Sequence, residues 1–563
     1  MTLAPVSLRG YRRVWLARDV VAGSVLAAVA IPEVMGYTSI SQTPIQTGLY
    51  TVIFPTMVFA LLASSRLLVV GADSATAAVL AAGLGGLSVA GLTPESDLWV
   101  AYCSLAALIC AALLLLARIL KLGFIGDFLS TSVLVGFLTG VGIQVFSGQI
   151  PEMLGVPKGS GNWFAQQLAW IREIPNAHWL TFGFAAFTVA CVVGFERFLP
   201  RVPGALVAVV VCIAVSAAID AQAQGVDVVG SVPSGFPPIG LPDLGLYDAW
   251  LVLPTALSCF VLIVAQSAAT SRSFAARHGE KVDVNQDILG LSGAQVAAGV
   301  TGTFVVNGSP TKTQILDGQG GKSQIANLTM AAIVLLFTLF LTGLLADMPK
   351  ATLAGIVFMI GVSLVDVAGM RRIARERFSE FVVALLTAVT VFAVGVEQGI
   401  VLAVVASVIE IVRRAYAPQA FVIGSRHGDE EPTFQPASPG HESRPGLIVF
   451  RFDAPLFYAN ASRFTDDVKA VVEGAPHPVT WAIVLSQALD DIDYSAGVQI
   501  HDLAVYLKSR GITLAFTDLA PEQKKALTAY GVLDPDLQVR TFDSRAEAIA
   551  AFEADVDPTG ARR

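Results

Sequence analysis

The sequence predicts an α-helical membrane protein of fourteen spans, arranged as a seven-plus-seven inverted repeat and followed by a small soluble α/β domain. Three observations lead there. First, of 563 residues 54% are hydrophobic and only 14% charged, with a mean hydropathy of +0.66, whereas soluble domains carry roughly 25% charged residues. Second, basic residues crowd into alternate loops between the apolar runs. Third, one short pattern occurs twice, an odd number of runs apart.

Charge divides the chain. Residues 1–416 hold 23 Lys and Arg against 23 Asp and Glu, and residues 417–563 hold 13 against 21, so the whole net charge of −8 lies at the back. A neutral apolar front and an acidic back read as two domains in two solvents. The acidic excess speaks against nucleic acid as a partner. The five cysteines all fall in apolar runs with no disulfide or metal spacing, so they read as packing residues. No metal site and no cofactor is expected.

A helical span needs about 20 apolar residues. Candidate runs lie near 20–40, 48–64, 74–91, 99–117, 125–147, 179–196, 203–220, 250–270, 285–302, 309–317, 325–346, 351–367, 378–395 and 397–415. The third and tenth are short and polar at the start. The basic segment 1–18 precedes the first of many runs, so it reads as a cytoplasmic segment and not a signal peptide. If spans alternate from there, inner loops hold nineteen Lys and Arg, while outer loops hold only Lys158, Arg172 and Lys350. That asymmetry is the positive-inside pattern. It places a transport domain over 19–416 in the cell (inner) membrane, in contact with lipid, with both termini cytoplasmic. Residues 417–445 read as a linker, 446–556 as a cytoplasmic domain and 557–563 as a tail. Strands are expected at 446–453, 480–486 and 512–518, and amphipathic helices at 461–474, 495–511 and after Pro521.

The repeated pattern is LLVVGADSATA at 67–77 and TFVVNGSPTKT at 303–313. Each is a β-like stretch, then small polar residues opening a short helix. They sit seven spans apart, so the second copy is inverted. Paired interrupted segments of this kind point to a transporter's binding site. Two half-helix N-termini aimed at one spot offer free N–H groups and positive dipole ends, which suit an anion. Donors are expected around Ala72, Asp73, Ser74 and Ala75 and around Ser309 and Thr311. Ser74, Thr76, Ser309 and Thr311 add hydroxyls, although Ser and Thr also simply cap or pack helices. Lys312 is the one basic residue deep in a span, placed to neutralise an anion, or else snorkelling to an interface. Glu33 lies where Pro32 and Gly36 are expected to break the first span. It reads as a coupling carboxylate, a counter-ion to Lys312, or a partner for freed amides. Asp73 reads as a helix cap more than a ligand, and Gln266 is polar at mid-span. No nucleotide loop, zinc spacing or nucleophile elbow occurs, so no enzyme is expected and gradients must drive transport.

Pro32, Tyr37, Gly48, Leu49, Tyr50 and Pro55, the stretches 128–143 and 283–313, and the element Asp491, Asp493, Ser495 together resemble the sulfate permease (SulP) family of anion transporters, whose members mostly end in a STAS domain. The resemblance covers nearly the whole chain. It implies a core and a gate domain, elevator-like movement and a homodimer. Carried over by position, the anion site falls on Ser309, Pro310, Thr311 and Lys312, facing Ala72–Ala75. It is closed by Pro32–Tyr37 and by Gln266 with Thr270. The chain departs from the family where many members carry an acidic residue and it has Gln266, and where they carry Gln and it has Glu33. Lys312 stands for the usual Arg, a point charge without the guanidinium fork, and GADSATA for a Gly-Pro-x-Ala start. Coupling is therefore expected to run through Glu33, with a proton as the coupled ion and sodium second. Ser495 resembles a phosphorylated position of anti-sigma antagonists, and an N-cap is its plainer role.

The leading expectation is a secondary active transporter of bicarbonate, sulfate or a dicarboxylate, by proton symport or exchange. A nucleobase–proton symporter of the same plan is the runner-up, disfavoured by Lys312 and the STAS-like tail. A non-transporting sensor signalling through that tail, and a channel-like pathway, are the alternatives of other classes.

Overall fold

The computed structural model describes residues 7, 11–121, 130–159, 162–199, 202–424, 433–489 and 491–556. They divide into two compact units at Ser407/Val408, inside the helix Val396–Tyr416, which is described with the first.

In the first unit every apolar run contains helix. The elements are α1 (Leu16–Ser41), α2 (Ile45–Thr51), α3 (Phe54–Leu62), α4 (Ser74–Gly85), α5 (Asp97–Ile119), α6 (Thr131–Leu154), α7 (Trp163–Glu173), α8 (Trp179–Phe198), α9 (Gly204–Ile219), α10 (Leu246–Arg277), α11 (Val284–Val300), α12 (Pro310–Gly318), α13 (Ile325–Phe340), α14 (Lys350–Leu364), α15 (Val367–Glu376), α16 (Phe378–Ala393) and α17 (Val396–Tyr416). Among the described residues, seven helical stretches are long and apolar enough to cross a membrane. Leu115, Leu116, Phe187, Val210 and Leu386 stand exposed on their outer faces, which suits contact with lipid tails. Helices α1, α13, α3, α11, α5 and α10 pack each on the next, and α4 lies against α1, α5 and α10; α6, α8, α14 and α16 form a second group, which α1 meets through α14 and α4 through α6.

The expected break at Pro32 and Gly36 is absent. Helix α1 runs through Pro32 without interruption. Gly36 serves close packing instead, since a Cβ there would lie 2.8 Å from Val357 Cγ2. The discontinuity falls in the second run, between α2 and α3, where Pro55 at the first turn of α3 has no N–H to continue the ladder.

The two short strands are present. β1 (Val69–Gly71) pairs antiparallel with β2 (Asn307–Ser309), Val70 opposite Gly308. Two extended strands cannot satisfy their outer edges from each other, and lipid supplies no partners. Side chains do so. Thr56 donates to the Val70 carbonyl, and Thr313 Oγ1 accepts from the Val69 amide. Gln324 and Asn327 donate to the Leu68 carbonyl, and Gln295 makes two bonds with the Val306 backbone. Each strand leads straight into a half-helix, β1 into α4 and β2 into α12. The antiparallel pairing therefore sets the two helices running apart from a common centre.

The second unit is a six-stranded sheet in the order β4-β3-β5-β6-β7-β8, made of β3 (Ala420–Gly424), β4 (Thr433–Pro436), β5 (Leu447–Phe452), β6 (Trp481–Leu485), β7 (Thr513–Thr517) and β8 (Arg540–Phe542). Strands β5 to β8 are parallel, and β3 is antiparallel to both its neighbours. Alternation along β5 feeds two cores. Ile448, Phe450 and Phe452 meet α18 (Ala461–Glu473) and α19 (Tyr494–Ser509), while Leu447 and Val449 join Trp481 and Phe552 of α21 (Arg545–Val556). Helix α20 (Pro521–Ala529) adds Leu527 to the first core. The expected linker 417–445 is corrected here: it contains β3 and β4, so the sheet begins about 26 residues earlier than the first expected strand. Residues 425–432 and the tail 557–563 lie outside the described residues.

Candidate functional site

The centre between the two half-helices gathers side chains from α1, α4, α10 and α12. Lys312, on the first turn of α12, is fully buried. Its ammonium donates to the Ala72 carbonyl at 2.8 Å, lies 3.5 Å from Glu33 Oε1, and sits 4.8 Å from the centre of the Tyr37 ring. Glu33 and Tyr37 are one turn apart on α1, and the Tyr37 hydroxyl donates to Glu33. Lys312 therefore does not snorkel. It is held by a carbonyl, a carboxylate and an aromatic face.

Neither helix start is bare. Asp73 is the N-cap of α4, and its Oδ2 accepts from the Ala75 and Thr76 amides at 3.1 and 3.4 Å. Ser309 is the N-cap of α12, its hydroxyl accepting from the Lys312 amide at 3.3 Å. The expectation of free amide pairs is corrected by these caps. Among the described residues, the Ser74 and Thr311 amides are the first-turn donors left without a cap. Pro310 and Thr311 are exposed, while Ala72, Ser74 and Ala75 are buried.

Helix α10 closes one side. Gln266 Nε2 donates to Asp73 Oδ1 at 3.3 Å, and Gln266 Oε1, although buried, has no partner. The second oxygen of Glu33 is in the same condition. Thr270 donates to the Gln266 carbonyl of its own helix, so its hydroxyl is committed. Three residues at this centre were not singled out by the sequence. Thr51 accepts from the Ala72 amide. Ser267 donates to Asn307 and accepts from the Gly308 amide, which ties α10 to β2. Thr51 and Ser267 are small hydroxyls of a kind common in apolar runs, and Asn307, although inside the second copy of the repeated pattern, has no counterpart of its type in the first.

In the second unit the N-cap of α19 is Asp493, which accepts from the Ala496 and Tyr458 amides, each at 2.8 Å. Ser495 is not the cap. It is exposed in the first turn. Among the described residues no cluster of His, Cys, Asp and Glu is arranged to hold a metal.

Two half-helices that start at a buried lysine, inside a mostly helical apolar unit joined to a small α/β unit, define a multi-pass membrane protein of the discontinuous-helix type that transporters use. The chain belongs to the sulfate permease family, which it matches over residues 16–387, and it carries a STAS domain over 439–548. A probable sulfate transporter from Mycobacterium tuberculosis is 32% identical over 547 residues, 97% of each chain. Sulfate transporter 1.3 of Arabidopsis thaliana is 26% identical, covering 89% of this chain and 80% of its own. The murine Slc26a9 anion transporter in its inward-facing state has the same fold, with a TM-score of 0.87 at 19% identity over 98% of this chain and 94% of that one. The transmembrane domain of the cyanobacterium bicarbonate transporter BicA matches with a TM-score of 0.60 at 21% identity, over 71% of this chain and 97% of that one.

Proposed function

We propose that the chain is a secondary active transporter of a small anion such as bicarbonate, sulfate or a dicarboxylate, bound where α4 and α12 meet. The single observation that carries this is Lys312, an ammonium fully buried at the meeting point of two half-helix N-termini. A cation so placed in a membrane is a functional group by default, and the sulfate and bicarbonate transporters among the relatives and neighbours support an anion as its partner.

Glu33 is the coupling group in this reading. It is ion-paired to Lys312, and α10 offers the amide Gln266 instead of a second acid. An anion that takes Lys312 must share it with Glu33, and a proton on Glu33 releases the lysine, so anion and proton bind together. Sodium is the lesser candidate. Alternating access is elevator-like, with the helices around α4 and α12 moving against α6, α8, α14 and α16. The proposed assembly is a homodimer in the cell membrane with both termini cytoplasmic, and exposed Ser495 is a candidate regulatory position.

Uptake of labelled sulfate, bicarbonate and succinate into proteoliposomes holding the purified full chain, with and without an inward proton gradient, tests the reading. Accumulation of at least one anion that grows with the gradient is expected. Absence of flux for all of them, with the protein folded, would replace it with a sensor.

A further inference from the structure

Beyond the class of cargo, the site carries a selectivity. It has two carboxylates, Glu33 and Asp73, against one ammonium, Lys312, and all three are buried. Asp73 already occupies two of the α4 amides that a bare oxyanion would use. The centre leaves acceptors as well as donors unused: Glu33 Oε2 and Gln266 Oε1 are buried without a partner, as is the donor Asn307 Nδ2, and the Ser74 and Thr311 amides are uncapped. The orientation of Gln266 follows from chemistry. Its amide must turn the NH2 toward the Asp73 carboxylate, because the reverse would set oxygen against oxygen. Its oxygen is thereby held as a fixed acceptor. A buried acceptor without a donor is costly, and a site built this way favours a ligand that brings the missing hydrogen.

We infer that this site selects oxyanions that carry their own O–H group, with hydrogencarbonate as the simplest member, and that Asp73 acting through Gln266 is the specificity-determining pair. The inference rests on the anion reading above. The ligand's charged oxygens face Lys312, and its O–H donates to Gln266 Oε1, which stays an acceptor while Glu33 carries the coupled proton. A fully deprotonated dianion such as sulfate leaves Gln266 Oε1 without a hydrogen and sets two negative charges beside Asp73 against the single Lys312. Nitrate, which is planar and singly charged like hydrogencarbonate but has no O–H, isolates the hydrogen-bond contribution from charge and shape.

The test is thermal unfolding of the purified full chain at pH 8, titrated with sodium bicarbonate, nitrate and sulfate at matched ionic strength, since a bound anion raises the midpoint by mass action. Half-saturation for bicarbonate is expected at least tenfold below that for nitrate and for sulfate. Gln266→Leu and Asp73→Asn should bring the bicarbonate-to-nitrate ratio within threefold, and Asn keeps a cap on α4. Equal or tighter binding of nitrate or sulfate by the unaltered chain would overturn the inference and leave the anion reading standing. So would an unchanged ratio in both variants. No shift with any anion would remove the anion reading as well. The comparison on the unaltered chain decides the matter even if a variant misfolds.

Discussion

Glu33 Oε1 and Lys312 Nζ lie 3.5 Å apart, joining the middle of α1 to the first turn of α12 in a place that water barely reaches. Removing one member of a buried ion pair leaves the other uncompensated, at a cost of ~3–5 kcal/mol. Lys312→Ala should therefore lower the unfolding midpoint as well as weaken anion binding. The double variant Glu33→Gln/Lys312→Met should recover much of the stability but not the binding. A Lys312→Ala protein as stable as the parent, by thermal unfolding in detergent, would show that the pair is not a structural unit.

Glu33→Gln keeps the shape of the side chain and its bond with Tyr37 but cannot take a proton. Uptake measured from pH 5.5 to 8 should lose its pH dependence in this variant while some flux persists. A profile parallel to that of the parent would place coupling on another group, with Asp73 the nearest remaining carboxylate.

Much of this centre was legible in the sequence because its features break strong rules. A lysine in an apolar run and two Gly- or Pro-containing interruptions seven runs apart are visible without coordinates, and β1 and β2 form at those places. The caps were half legible. Asp73 has the residue type and position of an N-cap, but the bond of its other oxygen, with Gln266, joins residues distant in the chain. The break assigned to Pro32 failed for a physical reason. A proline inside a helix costs one hydrogen bond and a clash, which neighbouring helices can absorb, whereas Pro55 opens α3 and truly restarts it. In the second unit β3 and β4 were hidden because five- and four-residue strands among polar residues resemble a linker until the sheet edge that pairs them is known.

Asp467 on α18 is partly buried, and desolvation raises its pKa above the usual carboxylate value despite Arg463 at 3.6 Å. A raised folded-state value means that the folded chain holds the proton more tightly than the unfolded one. The group therefore supports folding at low pH, and that support is lost as pH rises through the folded value. Asp467→Asn should stabilise the second unit at pH 7 and have no effect well below pH 4. Unfolding midpoints at the two pH values check this, and a destabilised variant at pH 7 would mean that the Arg463 pair outweighs desolvation.

Gly48 lets α2 lie against α1. A Cβ there would stand 2.3 Å from the Val34 carbonyl oxygen and 2.7 Å from Thr38 Cγ2, and neither a backbone atom nor a β-branched side chain yields easily. Gly48→Ala should cost ~1–3 kcal/mol through overpacking, read as a lower unfolding midpoint. Because Val34 and Thr38 flank Tyr37 on α1, the displacement should also weaken anion binding. Unaltered stability would mean that α2 is free to move away from α1.

Asp287 sets the entry to β1 from a distance. Its Oδ1 accepts from the Ser64 and Ser65 amides and the Ser64 hydroxyl, each at 2.8 Å, and its Oδ2 accepts from Ser271 at 2.6 Å. One carboxylate on α11 thus ties the chain just before β1 to α10, the helix that carries Gln266. Asp287→Ala leaves two amides and two hydroxyls without this partner, at about 1–3 kcal/mol for each group that stays buried and unsatisfied. Asp287→Asn keeps one oxygen for the amides and presents an NH2 to Ser271, which can accept, so it should be clearly milder. If the carboxylate also fixes the approach of β1, the alanine variant should raise the KM for the transported anion more than it lowers the maximal rate. The cause would be displacement of the Ala72 carbonyl that holds Lys312. Equal losses in the two variants, or a change confined to the maximal rate, would limit Asp287 to holding the fold.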